Sequence, residues 1–201
     1  MAALTLAESL PDEALDRLFR EARTPGGFTG EPVGPAELGA LWELIRWGPT
    51  SFNQQPLRIL ELRSQEARAR LARHLSGRNR AKAADVPLTL LLAADLNFHE
   101  SLPRLFPNAP LLYQWLADTP DARRERGRYD AILQIGYLIL AVRALGLAAM
   151  PVLGFDEDGV NAEFFPEGDH EALLVLHVGH PLPPRHPRLP RLTHDEVVTT
   201  L

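Results

Sequence analysis

PDARRERGRYDAILQIGYLILAVRAL, residues 120–145, begins charged and becomes apolar on nearly every side. Ile132, Ile135, Tyr137, Leu138, Ile139, Leu140 and Val142 leave its second half without a polar face. A helix of that composition has to be covered all round, so the stretch predicts a helix entering a core or an interface at the centre of the molecule. Continued to Met150, the apolar region is interrupted by Gln134 and Arg143 and followed by Pro151. It therefore fails as a membrane span, which needs roughly 20 mostly apolar residues.

On either side of this helix lie two apolar runs, 86–94 and 172–178, suited to strands covered on both faces. A third strand is expected over 57–62 and an arginine- and alanine-rich surface helix over 65–75. Leu38, Leu41, Trp42 and Ile45 form one stripe of a helix over 35–47, stopped by Gly48-Pro49. Ser9 or Asp12 can cap a first helix carrying Ala14, Leu15, Leu18, Phe19 and Ala22, which Pro25-Gly26-Gly27 breaks. Residues 181–192 hold five of the 18 prolines and can form neither a helix nor an inner strand. These elements predict one α+β domain over residues 1–201, ending in an extended arm from about 181 to 201.

Composition narrows the chemistry. The net charge of -5 gives no attraction for nucleic acid or an anionic membrane, so neither partner is expected. With no cysteine, thiolate nucleophiles, Fe–S clusters and Cys-based zinc sites are excluded, and redox chemistry needs a cofactor. The N-terminus lacks a basic start and a long apolar run, so no export signal is read and a cytoplasmic location is expected. Neither Gly-x-Gly-x-x-Gly nor Gly-Lys-Ser/Thr occurs, which disfavours Rossmann and P-loop sites. His177, His180 and His186 could suggest a metal, but strand geometry sends the first two to opposite faces, and no metal site is expected. The basic stretches 63–82 and 123–128 are interleaved with Glu66 and Glu125 and read as solvated helix faces.

Three dispersed polar segments carry more. Arg23-Thr24 offers a guanidinium and a hydroxyl at a helix end, a pair that suits a phosphate. Pro49-Thr50-Ser51-Phe52-Asn53-Gln54-Gln55-Pro56 is either a polar turn or a set of donors for a polyol chain. Asn79-Arg80-Ala81-Lys82 contains the sole lysine among 21 basic residues. A compact cation and an amide at one place suit the pyrimidine edge of a flavin, whose reduced form carries negative charge near N1 and O2.

These segments resemble the nitroreductase family. Arg23-Thr24 with Phe28 is similar to its N-terminal Arg-Ser motif, and residues 49–56 to its Ser-Ser-x-Asn-x-Gln-Pro segment. Ala144-Leu-Gly-Leu-Ala-Ala-Met-Pro-Val-Leu-Gly-Phe155 is similar to its Leu-Gly-Leu...Pro-x-x-Gly-Phe segment, with order and spacing preserved. Trp47-Gly-Pro-Thr-Ser51, Leu102-Pro-Arg-Leu-Phe-Pro107 and Arg188-Leu-Pro-Arg-Leu192 resemble the malonic semialdehyde reductase branch in particular.

The resemblance implies a nitroreductase-like fold, with a central, mainly antiparallel sheet flanked by helices and the long helix at a homodimer interface. It implies FMN as cofactor and NADH or NADPH as electron donor. Arg23 and Thr24 would hold the phosphate, and Thr50, Ser51 and Asn53 of the other subunit would surround the ribityl and phosphate. Asn79 and Lys82 would face the pyrimidine end, with Lys82 stabilising charge at N1 and O2. Pro151, Val152, Leu153 and Gly154 would pack on the ring, with a backbone N–H near Leu153 meeting N5. Many members have Glu where Leu153 stands, a change that keeps the backbone donor and removes a carboxylate; many also have a second arginine where Ala22 stands, so one phosphate contact is missing and weaker FMN retention is expected. Either Arg188 or Arg191 would close on the phosphate.

The activity implied is ping-pong hydride transfer to a small acceptor, in its most specific form 3-oxopropanoate (malonic semialdehyde) to 3-hydroxypropanoate. A broad nitroaromatic, quinone or enal reductase is the alternative within the enzymes, and a non-enzymatic FMN binder or sensor is the alternative outside them. Residues 96–120, with Phe106, Tyr113 and Trp115, are expected to set the acceptor.

Overall fold

The computed structural model describes residues 9–83 and 86–201, with the side chains of Arg78 and Lys82 outside that description. Four strands, β1 (Leu57–Glu61), β2 (Leu88–Asp95), β3 (Ala148–Val152) and β4 (His170–Gly179), form one antiparallel sheet in the order β1-β2-β4-β3. Leu92 pairs with Leu174 and Ala93 with Ala172, so Leu173 is the extra residue of a bulge that bends β4. β2 and β4 lie inside the sheet, as their continuous apolar runs anticipate.

One face of the sheet is covered by α2 (Pro35–Ile45) and α7 (Pro120–Ala144). There Leu41, Ile45, Leu90, Leu92, Ile135 and Leu138 belong to a single buried cluster. The other face is covered by α3 (Gln65–His74) and α8 (Glu157–Phe164), with Leu71, Leu91, Val160 and Val175 buried between. β2 alternates accordingly, sending Leu90 and Leu92 to one side and Leu91 to the other. Glu163 joins these outer helices by accepting from Arg70, Arg73 and His74. The remaining helices are α1 (Asp12–Leu15), α4 (Gly77–Ala83), α5 (Leu102–Leu105), α6 (Pro110–Asp118) and α9 (His194–Val197).

Local chemistry sets the ends. Ser64 Oγ accepts from the Ala67 N–H to start α3, and Asp156 Oδ1 accepts from the Gly159 N–H to start α8. α7 stops in a Schellman motif, with Gly146 at φ 78° and the Leu147 N–H on the Val142 carbonyl.

Several expectations need correction. Neither Ser9 nor Asp12 caps the first helix; Pro11 stands at that position and the Asp12 carboxylate pairs with Arg20 instead. After Leu15 the chain widens into a π-turn over Asp16–Arg20. α2 ends at Ile45, two residues short of Trp47, and Trp42, placed on its core stripe, is exposed. Residues 181–201 are exposed along their length and join the body where the Leu182 N–H donates to the Gly27 carbonyl. Its one helical turn, α9, follows the proline-rich part. No helix among the described residues is long and apolar enough to cross a membrane.

Candidate functional site

The N-terminal segment and the arm meet at a cavity of about 410 Å3. Arg23, Thr24, Arg188 and Arg191 line it, together with Ala22 and His186 and no carboxylate. Arg23 donates to the His186 carbonyl at 2.5 Å and Arg188 to the Ala22 carbonyl at 3.3 Å, which fastens the arm to the helix end. Arg191 donates to carbonyls of its own segment, at Leu189 and Pro190. Cations gathered without a counter-charge suit a phosphate, which guanidinium groups bind in pairs of hydrogen bonds.

A neighbouring cavity of about 510 Å3 shares Ala22, Arg23 and Thr24 and adds Arg143. Burial pushes the Arg143 pKa down, and Arg188 nearby pushes it the same way. The sequence reading treated Arg143 only as an interruption of an apolar run. Its sign was available there, since a charged residue near the end of a buried helix requires a partner.

Asn79 lies on α4, a helix where the sequence suggested only a segment leading into a strand. Its Nδ2 donates to the Gly154 carbonyl at 3.3 Å, and the Ser76 N–H donates to the same carbonyl at 2.9 Å. A Cβ on Gly154 would stand 2.6 Å from Asn79 Nδ2, so a larger residue there would displace the Asn79 amide from this carbonyl. Pro151 and Leu153 are exposed, Leu153 by 71%. Val152, by contrast, is buried in the cluster beneath α3 and α8, so its side chain is withdrawn from any ligand and only its backbone is available. The Lys82 side chain lies outside the described residues; its backbone stands one turn beyond Asn79 on α4. A cavity of about 360 Å3, lined by Gly26, Gly27, Ala81 and Met150, connects this region with the segment that follows Thr24.

The 50–55 loop stands apart, sharing none of these cavities. Phe52, Asn53 and Gln55 all adopt positive φ, at 50°, 56° and 47°. Each such residue costs on the order of 1–3 kcal/mol, so the surroundings have to hold the loop. Asp130, 1% exposed, supplies much of that hold. Its carboxylate accepts from the Ser51 N–H at 3.1 Å and from Ser51 Oγ at 3.2 Å. Burial raises the Asp130 pKa, and the bonds from Ser51 oppose the rise. Thr50 Oγ1 accepts from the Gln55 N–H, and Asn53 Nδ2 donates to the Leu105 carbonyl. Gln134, one turn after Asp130, accepts from the Leu57 N–H where the loop enters β1. Asp130 and Gln134 were missed as site residues, although two polar side chains at i and i+4 on the buried side of an apolar helix are a usable signal.

Phe106 meets Phe52 edge to face at 5.5 Å, so residues 96–120 do touch this loop. Tyr113 instead stacks on His99, whose pKa burial pushes down, and Trp115 lies beneath Arg126. The side of α7 away from the sheet exposes Tyr129, Ile132, Leu133 and Tyr137.

Comparison with known proteins matches residues 6–180 to the family described as the nitroreductase family. Two proteins of Streptomyces coelicolor, both provisionally named NADH dehydrogenase/NAD(P)H nitroreductase, are 44% and 47% identical to this chain. The first alignment covers 94% of each chain, and the second covers 96% of this one and 98% of the other. A provisionally named nitroreductase from Exiguobacterium sibiricum, solved in complex with FMN, superposes with a TM-score of 0.82 at 19% identity. The match covers 96% of this chain and 99% of that one, a likeness of fold.

Proposed function

The chain belongs to the nitroreductase family, and from that premise we propose that it uses FMN to carry hydride from NADH or NADPH to a small acceptor. In its most specific form the reaction reduces 3-oxopropanoate to 3-hydroxypropanoate. The observation that carries the reading is the acid-free cavity where Arg23 and Thr24 meet Arg188 and Arg191 from the far end of the chain. Its donor set fits a phosphate, and the Asn79 amide, held against Gly154, stands beside the 151–154 segment. The residues present therefore fit FMN.

When bound, FMN supplies reversible hydride transfer, and the protein supplies position and field. Arg23, Thr24, Arg188 and Arg191 hold the phosphate. Asn79 faces the pyrimidine edge, and Lys82 provides a positive charge at that end, where negative charge gathers on reduction. The backbone of 151–154 would pack on the ring, with the Leu153 N–H as the donor near N5. Thr50, Ser51 and Asn53 complete the site from a second copy, because within one chain their loop lies outside both cavities that the phosphate residues line. The exposed apolar side of α7 is the surface by which two copies associate. The whole chain serves as one domain, with the arm from about 181 closing over the phosphate.

The test is anaerobic stopped-flow absorbance near 450 nm on the FMN-reconstituted protein, mixed with NADH or NADPH and then with 3-oxopropanoate. Bleaching followed by recovery on the aldehyde is the expected result. Recovery only with nitroaromatics, quinones or enals assigns a broad reductase. No bleaching with either nicotinamide overturns the enzyme reading in favour of a flavin binder.

A further inference from the structure

A cavity of about 460 Å3 lies between the end of α2, the 50–55 loop and α5. Arg46, Arg58 and Arg104 line it with Trp42 and Trp47, and no carboxylate does. Two of these cations pair with acids outside the lining, Arg58 with Asp95 and Arg46 with Glu43, so the local excess of positive charge rests on Arg104. The three guanidinium groups are unequally satisfied. Arg58 is neutralised by Asp95 and also donates to the Gln55 and Leu57 carbonyls. Arg46 reaches Glu43 at 3.3 Å while lying 5.3 Å above the Trp47 ring. Arg104 has no hydrogen bond, ion pair or ring contact with any described residue.

We propose that this cavity binds the carboxylate of the acceptor, with Arg104 and Arg46 as its cations and Trp42 and Trp47 as the walls for a short carbon chain. The proposal rests on the oxidoreductase reading, because the cavity's Asn53 and Gln55 belong to the loop assigned there to the cofactor. Asn53 Nδ2 donates to the Leu105 carbonyl, one residue beyond Arg104, so the loop and the free cation are mechanically linked. A guanidinium presents paired N–H groups that match a carboxylate, and it stays charged at every working pH. The occupant is thus a small oxo acid, held by its charged end. A phosphate of the nicotinamide donor would satisfy the same cations, and the experiment separates the two.

Malonate has the three-carbon skeleton of 3-oxopropanoate but no aldehyde, so it reports binding without turnover. Titrated calorimetrically into the oxidised, FMN-loaded protein at low ionic strength, it is expected to bind saturably. Arg104→Gln should weaken it roughly 10- to 100-fold, the range for a hydrogen-bonded charge, and Arg104→Lys by less. In turnover, the ratio of kcat/KM for 3-oxopropanoate to that for uncharged propanal should fall by a similar factor in Arg104→Gln. Unaltered malonate affinity in that variant, or equal losses with both aldehydes, overturns the proposal. A loss confined to reduction by NADPH relative to NADH also overturns it, giving the cations to the donor's phosphate. Failure of the oxidoreductase reading has a separate signature: malonate binds through Arg104, yet neither nicotinamide bleaches the flavin.

Discussion

Tyr137 and Leu138 are neighbours on α7, yet Leu138 is 0% exposed against the sheet and Tyr137 is 43% exposed on the other side. The sheet-facing side also buries Asp130 and Gln134, while the outward side shows Tyr129, Ile132 and Leu133 to solvent. Carboxylate inside and apolar side chains outside reverse the usual arrangement of a helix on a sheet. The inversion teaches that the two faces answer to different partners. The inner one packs the core and holds a strained loop, and the outer one, on our reading, meets a second copy.

Substitutions at these neighbours would break the comparison most directly. Leu138→Ala should lower the stability of the fold by roughly 2–5 kcal/mol in chemical denaturation, as large-to-small changes at fully buried sites do. Tyr137→Arg should leave circular dichroism unchanged, shift sedimentation from dimer to monomer and release FMN, because the site would lose its second-copy loop. A Tyr137→Arg protein that remains dimeric would sink the proposed interface.

Asp130 sharpens the contrast within the inner face. Asp130→Ala leaves the Ser51 N–H and hydroxyl without their acceptor and should weaken FMN binding more than a core substitution of equal effect on stability. Asp130→Asn keeps an acceptor oxygen and should restore most of that binding. Equal FMN affinities for the alanine variant and the parent would confine Asp130 to packing.

The smallest effect compares the two sheet faces through pH. Hydrogen bonds from Arg70 and His74 hold the Glu163 carboxyl at about 2, down from 4.5. Its stabilising contribution is present above 4.5 and is lost as pH falls toward 2. The Asp130 pKa is raised, so its ionisation works in the opposite sense, and stability falls as pH rises through its titration. Glu163→Gln should flatten the acid limb of the stability curve, and Asp130→Asn should not. Identical curves for Glu163→Gln and the parent would remove Glu163 from acid stability.

Much of this was legible in the chain. The helix over 120–145 appears as Pro120–Ala144, and the strands read at 57–62, 86–94 and 172–178 appear within a residue or two. Long apolar periodicities of this kind survive any tertiary arrangement because burial selects them directly. Arg23 and the pair Arg188 and Arg191 were singled out from the sequence, and the structure brings all three to one cavity. Trp42 was read on one stripe with Leu41 and Ile45 and lies exposed while they are buried, because helical spacing reports which residues share a face and not what covers it. The burial of the Val152 side chain was likewise not legible, since a motif position does not say which way a strand residue points.

The sequence by itself determined the order and type of the main elements and singled out the polar segments whose residue types suit a phosphate and a flavin. Both follow from residues a few positions apart. Only the tertiary structure decided that Asp130 holds Ser51, that Arg143 approaches Arg188, and that Arg46, Arg58 and Arg104 face one space without an acid among them. Those pairings join residues tens of positions apart, and their geometry is set by how helices and strands pack together, which no local pattern encodes.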